Sequence, residues 1–556
     1  MNDSPFHGIL HTNTAPSLPQ LDDIRQYLKQ PYQQLATLNT EVDRLSNLLS
    51  TTIRKRDELE KVISDHESLL SPIKRVPLDV LRLIFEHTLP DKRNAAFSDT
   101  EGPLLLSRVC RDWKRIAEST PRLWSSMHIV VPHFDAHPET VSQVKRLLNT
   151  WLARSGSVPL SITMQLASGW GYENTRPDPL LPLLLPHASR WRDMKIWLSH
   201  TADIETLQSL TKEDVPLLRK IDLSVDRRLS DYESTDQLAL TPTLRDQLSF
   251  LATNQLQSFA FRGTHASLPL TTSWHSLRHL ELRFNLSNQQ TTIEYPLPFL
   301  CHCPSLEKLH LEVMHYDILY SPDRSDHIQL PVLRSLSLKL SSRRQPSVDL
   351  NRALDCFSLP TLRKVQLSRK LCEELSGALR SIPYITHLTI RPGALASDVL
   401  ASALSILSAL QHLRIHGEPK IPGADIPTPG QNSDPNFLEY FIPVSNSTDI
   451  LCPALQCLEF ANIHALSEEL IVRFILARRS AVVPTQLVRF NCSIHREAMG
   501  RDMRTQLADE LASGFELGVY YDPPPVMRIR YWPFEGALPQ KASLGDDWLG
   551  GRYDYE

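Results

Sequence analysis

One pattern, L-x-x-L-x-L, returns through the middle of the chain and limits its fold more than any other feature. Strong copies are "LLRKIDL" at Leu218, "SLRHLEL" at Leu277, "SLEKLHL" at Leu306, "VLRSLSL" at Leu333 and "TLRKVQL" at Leu362. "YITHLTI" at Ile385, "ALQHLRI" at Leu410, "ALQCLEF" at Leu455 and "QLVRFNC" at Leu487 continue the series, and "RWRDMKI" at Trp191 and "QLQSFAF" at Leu256 are weaker copies. From Leu277 to Leu410 successive copies start 29, 27, 29, 23 and 25 residues apart. The last apolar pair of each copy alternates with polar residues, the period of a strand with one buried face. Stretches between copies, such as "LASDVLASALSILSAL" and "HALSEELIVRFILARRS", read as helices. One helix–strand unit cannot bury its own apolar face, but stacked neighbours can. The fold class expected is therefore α/β, with an irregular solenoid over 127–533. A Pro-, Asn- and Asp-containing insertion at 418–450 is expected to loop out, "RTQLADELASGFELGVYY" is expected to add a last unit or cap, and 534–556 form a polar tail.

The period matches that of leucine-rich repeats. Composition narrows the function classes. Gly is scarce (18 of 556 residues), and neither G-x-G-x-x-G nor a P-loop occurs, which argues against phosphate-cradling loops. A net charge of -4 gives no bulk attraction to nucleic acid or to an anionic membrane, so neither is expected as a partner. Eight Cys are too sparse for a disulfide framework, and the N-terminus lacks a basic start and a long apolar core. A cytoplasmic or nuclear location is expected. Cys301-His302-Cys303 lacks a partner Cys pair at metal-finger spacing and reads as packing. No H-E-x-x-H or G-x-S-x-G occurs, and no cofactor, metal or catalytic residue is expected.

The N-terminal part has a different character. Residues 1–31 are expected to be disordered. Residues 32–70 contain no Gly or Pro, and eight of eleven heptad a/d positions are apolar (Leu35, Leu38, Val42, Leu45, Leu49, Leu59, Ile63 and Leu70), while polar Thr52, Arg56 and His66 weaken the seam. This segment reads as a coiled coil that could pair two copies, or as one helix lying back on the domain behind it. The segment 71–126 follows. "SPIKRVPLDVLRLIFEHTLP" predicts an amphipathic helix opened by Pro77 and closed by Pro90, with an apolar face at Leu81, Ile84, Phe85 and Leu89. A polar loop is expected over 91–102. "LLLSRVCRDWKRIAESTPRLW" then predicts a second helix with one stripe at Leu105, Val109, Trp113 and Ile116.

The segment 71–126 resembles the F-box. The matching features are Val76-Pro77, Leu81, Ile84-Phe85, the Val-Cys-Arg-x-Trp core from Val109 to Trp113, and the Pro-x-Leu-Trp end from Pro121 to Trp124. A heptad helix, an F-box and irregular leucine-rich repeats, in that order, are similar to the large F-box families of mushroom-forming fungi. The resemblance implies a non-catalytic substrate receptor of an SCF-type cullin–RING ubiquitin ligase. Val76, Pro77, Leu78, Leu81, Ile84, Phe85, Val109, Cys110 and Trp113 would contact the adaptor, and through it the cullin. A protein substrate would then meet the repeats on an exposed ribbon of strand residues beside the apolar ones: Glu281, Arg283, His310, Glu312, Lys339, Gln366, Arg391, Arg414 and His416. The alternative is a leucine-rich-repeat scaffold that dimerises through 32–70 and has no link to ubiquitin.

Overall fold

The computed structural model describes residues 4–132, 137–166, 178–198, 201–225, 248–263, 274–284, 292–295, 297–314, 317–320, 328–341, 354–367, 375–380, 382–390, 397–416, 437–442, 450–463, 466–480, 485–494 and 503–521. The chain divides into two compact units, residues 1–83 and 84–556.

The first unit is dominated by a helix of 53 residues, α1 (Leu18–Leu70). It starts well before residue 32, so the disorder expected up to residue 31 is corrected from Leu18 onward. The start is specified locally. Ser17 stands at the N-cap, Pro19 lies in the first turn, and the Ser17 N–H donates to Gln20 Oε1 at 2.9 Å. Pro31 sits inside the helix. It gives up one intrahelical hydrogen bond, yet good helix formers on both sides carry the helix through it. A short 3₁₀ turn, Pro72–Arg75, leads to α2 (Leu78–Glu86), within which the boundary between the units falls.

The second unit is built on a parallel sheet. Its strands are β1 (Ser126–Val131), β2 (Leu160–Leu166), β3 (Trp191–Leu198), β4 (Lys220–Val225), β5 (Ser258–Gly263) and β6 (His279–Phe284). Two short side pairs lie outside the main sheet: β7 (Thr292–Tyr295) with β9 (Asp317–Tyr320), and β10 (Ile328–Gln329) with β12 (Phe357–Ser358). The main sheet continues through β8 (Lys308–Met314), β11 (Ser335–Ser341), β13 (Lys364–Leu367), β14 (His387–Ile390), β15 (His412–His416), β16 (Cys457–Ile463), β17 (Arg489–Ile494) and β18 (Glu516–Tyr521).

All 14 main strands are parallel, and each pairs with the next in sequence. A doubly wound sheet would reverse direction at a switch point; this one never does, so the order is that of a solenoid-like α/β fold. Every copy of L-x-x-L-x-L found in the sequence is one of these strands. Three further strands were not counted there as copies: β1, β2 and β18.

Registration aligns the repeat. Met194, Ile221, Phe259, Leu280, Leu309 and Leu336 face one another across successive strands, and the row runs on through Val365, Leu388, Leu413 and Leu458 to Phe490. A second row, two residues later on each strand, runs from Ile196 to Cys492, and both rows are buried. Each fully buried side chain is worth about 1.5–3 kcal/mol, and a one-residue slip would turn both rows to the other face.

Two expectations change here, while the loop expected over 91–102 holds. It is pinned to β1 at one bridge, Ala96 to His128: the His128 N–H donates to the Ala95 carbonyl at 2.7 Å, and Asn94 bonds to Thr163 and Ser126. Ala95 and Ala96 are buried, and Arg93 and Glu101 close the segment with an ion pair. The helix expected after Pro103 is two helices, α3 (Leu106–Val109) and α4 (Arg111–Glu118). They break at Cys110, whose Sγ accepts the Trp113 N–H at 3.5 Å. Within the insertion at 418–450 the described residues 437–442 do not loop out, because Phe437, Leu438 and Phe441 are buried and Phe437 meets Phe441 and Phe460 edge to face. The tail at 534–556 lies outside the described residues.

Asp178 is a buried carboxyl in this unit. Its Oδ1 accepts the Leu180 N–H at 2.7 Å, and its own N–H donates to Asp203 Oδ1 at 2.7 Å. Burial, followed by the charge of Asp203, pushes its carboxyl up to about 7 against the opposing amide bonds. The folded chain therefore keeps a proton that the unfolded chain releases near pH 4. Stability should fall as pH rises from about 4 to about 7. Asp178→Asn, which removes the ionisation, should raise the thermal midpoint at pH 8 relative to the parent, and the gain should shrink at pH 5. Melting curves at the two pH values check this.

Candidate protein-interaction surfaces

Two sets of residues carry the candidate surfaces, and the structure sorts both. The first lies on the short helices. In the first unit Val76 is half-buried, Pro77 is exposed, Leu78 is 49% exposed, and Leu81 is buried. In the second unit Ile84, Val109 and Cys110 are exposed, Trp113 is half-buried, and Phe85 is completely buried.

Within the second unit Phe85 packs on Trp113 with ring centroids 4.8 Å apart. Leu81 and Phe85 are thus corrected from docking residues to interior ones. They sit four residues apart on the inner face of α2, as helical periodicity requires. The outer face is also apolar. Val80 and Leu83 are exposed there beside Ile84, Leu78 is exposed at the start of the helix on the side of Leu81, and Leu105 is exposed at the N-cap of α3 near Val109. The sequence reading passed over Val80 and Leu83. The signal was present: six of the nine residues of "LDVLRLIFE" are apolar, more than one buried face can use.

The second set lies on the strand face opposite the core. It was expected to be an exposed ribbon. Arg283, Glu312 and His416 are instead buried, and Glu281, His310, Gln366, Lys339 and Arg414 are half-buried. Arg391 lies outside the described residues. Neighbouring side chains cover one another because parallel strands lie only about 4.8 Å apart.

Their charges cancel in pairs. Glu281 accepts from Arg283 Nε at 2.6 Å, Lys339 Nζ donates to Glu312 at 2.5 Å, and Arg414 lies 3.5 Å from Glu459. His310 Nδ1 lies 2.7 Å from Ser337 Oγ, and its Nε2 lies 3.8 Å from Glu312, longer than a hydrogen bond. Burial alone would raise the Glu312 carboxyl, but His310, Lys339 and Arg283 together hold it at about 2.

Cys303, from the Cys-His-Cys stretch, is buried, and its thiol donates to the Phe299 carbonyl at 3.7 Å. Among the described residues no cluster of His, Cys, Asp or Glu could hold a metal, and no helix is long and apolar enough to cross a membrane. Comparison of the chain with models of known protein families gives no match, and comparison with curated proteins gives none either.

Glu312 is a sensitive probe of the paired face. Its ionised form is favoured in the folded chain, so its contribution is complete above its ordinary value of 4.5 and is lost as pH falls through about 2. Glu312→Gln should cost about 1–3 kcal/mol at pH 7 and progressively less below pH 4.5. Denaturant titrations of both proteins across that range measure it.

Proposed function

We propose that the chain is the substrate-receptor subunit of an SCF-type ubiquitin ligase. In this reading the segment 71–126 binds the adaptor, and through it the cullin, while the repeat unit holds a protein substrate. The chain itself performs no chemistry and contributes proximity, which turns an encounter between substrate and ubiquitin carrier into a local event.

The observation that supports the reading is the set of exposed apolar side chains on α2. Leu78 at the start of the helix, and Val80, Leu83 and Ile84 on its outer face, stay in water while Phe85 is buried. Covering half-exposed Leu, Ile and Val side chains gains roughly 1 kcal/mol each, enough for a small hot spot if several are covered together. Co-purification with the SCF adaptor tests the reading. Leu78→Asp combined with Leu83→Asp should reduce adaptor binding at least ~tenfold, about 1.4 kcal/mol or more, with little change in melting temperature because both residues are exposed. Retained binding by the folded double variant would refute the site. Absence of binding by the parent chain would refute the ligase assignment.

A second reading concerns α1. Its heptad residues Leu35, Leu38, Val42, Leu45 and Leu49 are all exposed along a helix roughly 80 Å long. The seam from Leu35 to Leu49 is roughly 21 Å long, and an exposed apolar seam favours pairing with a second copy, which would make the protein a dimeric scaffold. Light scattering should give the mass of a dimer, and Leu45→Glu with Leu49→Glu should give a monomer. A monomeric parent chain at micromolar concentration would remove this reading.

A further inference from the structure

The starts of the strands carry a different charge pattern. The residue before the first buried position of each strand forms a continuous row: Lys220, Ser258, His279, Lys308, Ser335, Lys364, then His387, His412, Cys457 and Arg489. No acidic residue occupies this row between Asp193 on β3 and Glu516 on β18. The residue one place earlier adds Arg219, Arg278, Arg334 and Arg363, all exposed.

Over the eight strands from β4 to β15 these two positions hold seven Lys or Arg and one acid, Glu307, which pairs with Arg278 at 3.1 Å. In a chain of net charge -4 this rim is locally basic. Two places further along the strands the charges that occur are paired: Asp222 lies 2.9 Å from Lys195, Glu281 pairs with Arg283, and Arg414 lies 3.5 Å from Glu459. The cations also act on their neighbours. Burial, and then the Lys308 charge, lowers both His279 and Lys364; burial, followed by His412 and Lys364, lowers His387 to about 4. His387 and His412 stack in parallel with centroids 4.0 Å apart.

We propose that this rim is a docking site for an acidic, extended polypeptide segment lying across the strand starts from β4 to β15. The proposal names the substrate class of the repeat unit and rests on the reading of that unit as the substrate-binding part. Eight strands about 4.8 Å apart span roughly 34 Å, the length of about ten extended residues. Carboxylates on alternate residues would fall roughly 7 Å apart, a spacing that flexible Lys and Arg side chains can follow. A polypeptide suits the rim better than a nucleic acid. Neither position on these eight strands holds a Phe, Trp or Tyr on which bases could stack, and the net negative charge of the chain opposes a long polyanion.

The test is fluorescence anisotropy of a labelled poly-glutamate peptide with the full chain at low salt. Saturable binding is expected, weakened at least ~tenfold by Lys308→Glu with Lys364→Glu and by a rise in ionic strength. Lys55→Glu with Lys61→Glu on α1 changes the net charge by the same amount and should leave binding within about twofold of the parent. No saturable binding by the parent, or equal weakening by both pairs, would overturn the proposal. Displacement of the peptide by single-stranded oligothymidylate at much lower concentration would also overturn it, in favour of nucleic acid. If the charge reversal does not fold, Lys308→Gln with Lys364→Gln replaces it, with a loss of at least about threefold expected and an unchanged affinity counting against the site. The variant with Leu78→Asp and Leu83→Asp should bind the peptide normally, so failure of adaptor docking and failure of this site are read separately.

Discussion

Parallel pairing of each strand with the next in sequence is the interaction on which the larger unit depends. The hydrogen bonds hold every repeat in one register, and that register stacks the leucines of neighbouring repeats into two continuous buried rows. A single repeat has nothing on either side of its leucines, so the hydrophobic gain belongs to adjacent pairs of repeats. The same register decides where every other residue goes. It brings Glu312 beside Lys339, His387 onto His412, and Lys308 into line with Lys364.

This explains which features were legible in the sequence. The core rows could be read from Leu277 or Leu362 alone, because alternation of apolar and polar residues is a local property. The fate of Arg283, Glu312 and His416 could not. Alternation places them opposite the core, but their burial depends on the side chains of neighbouring strands, which are a repeat away in sequence. The basic rim was missed for a related reason. Its residues precede the first buried position of each strand, and only alignment of the copies shows that one column lacks acids from Lys220 to Arg489.

The short helices repeat the lesson on a smaller scale. The apolar positions of α2 were visible, but one helix face and its opposite look alike when both are greasy. Burial separates the two faces, assigning Leu81 and Phe85 to the interior and leaving Val80, Leu83 and Ile84 outside, with Leu78 exposed at the helix start. The break at Cys110 was hidden because no Gly or Pro marks it; a thiol capping the next helix is a weak signal in a linear reading.

The polar segment before Pro103 has a consequence for the growth of the sheet. A parallel array ends in strands whose outer N–H and C=O groups face no neighbour, and such edges recruit other chains into mismatched or runaway assembly. By laying Ala95 and Ala96 along His128 and sealing the crossing with Arg93 and Glu101, the chain gives its first strand an irregular, non-extendable companion. Twelve residues that look dispensable in the linear sequence thus act as a stopper, keeping the array from lengthening at that end.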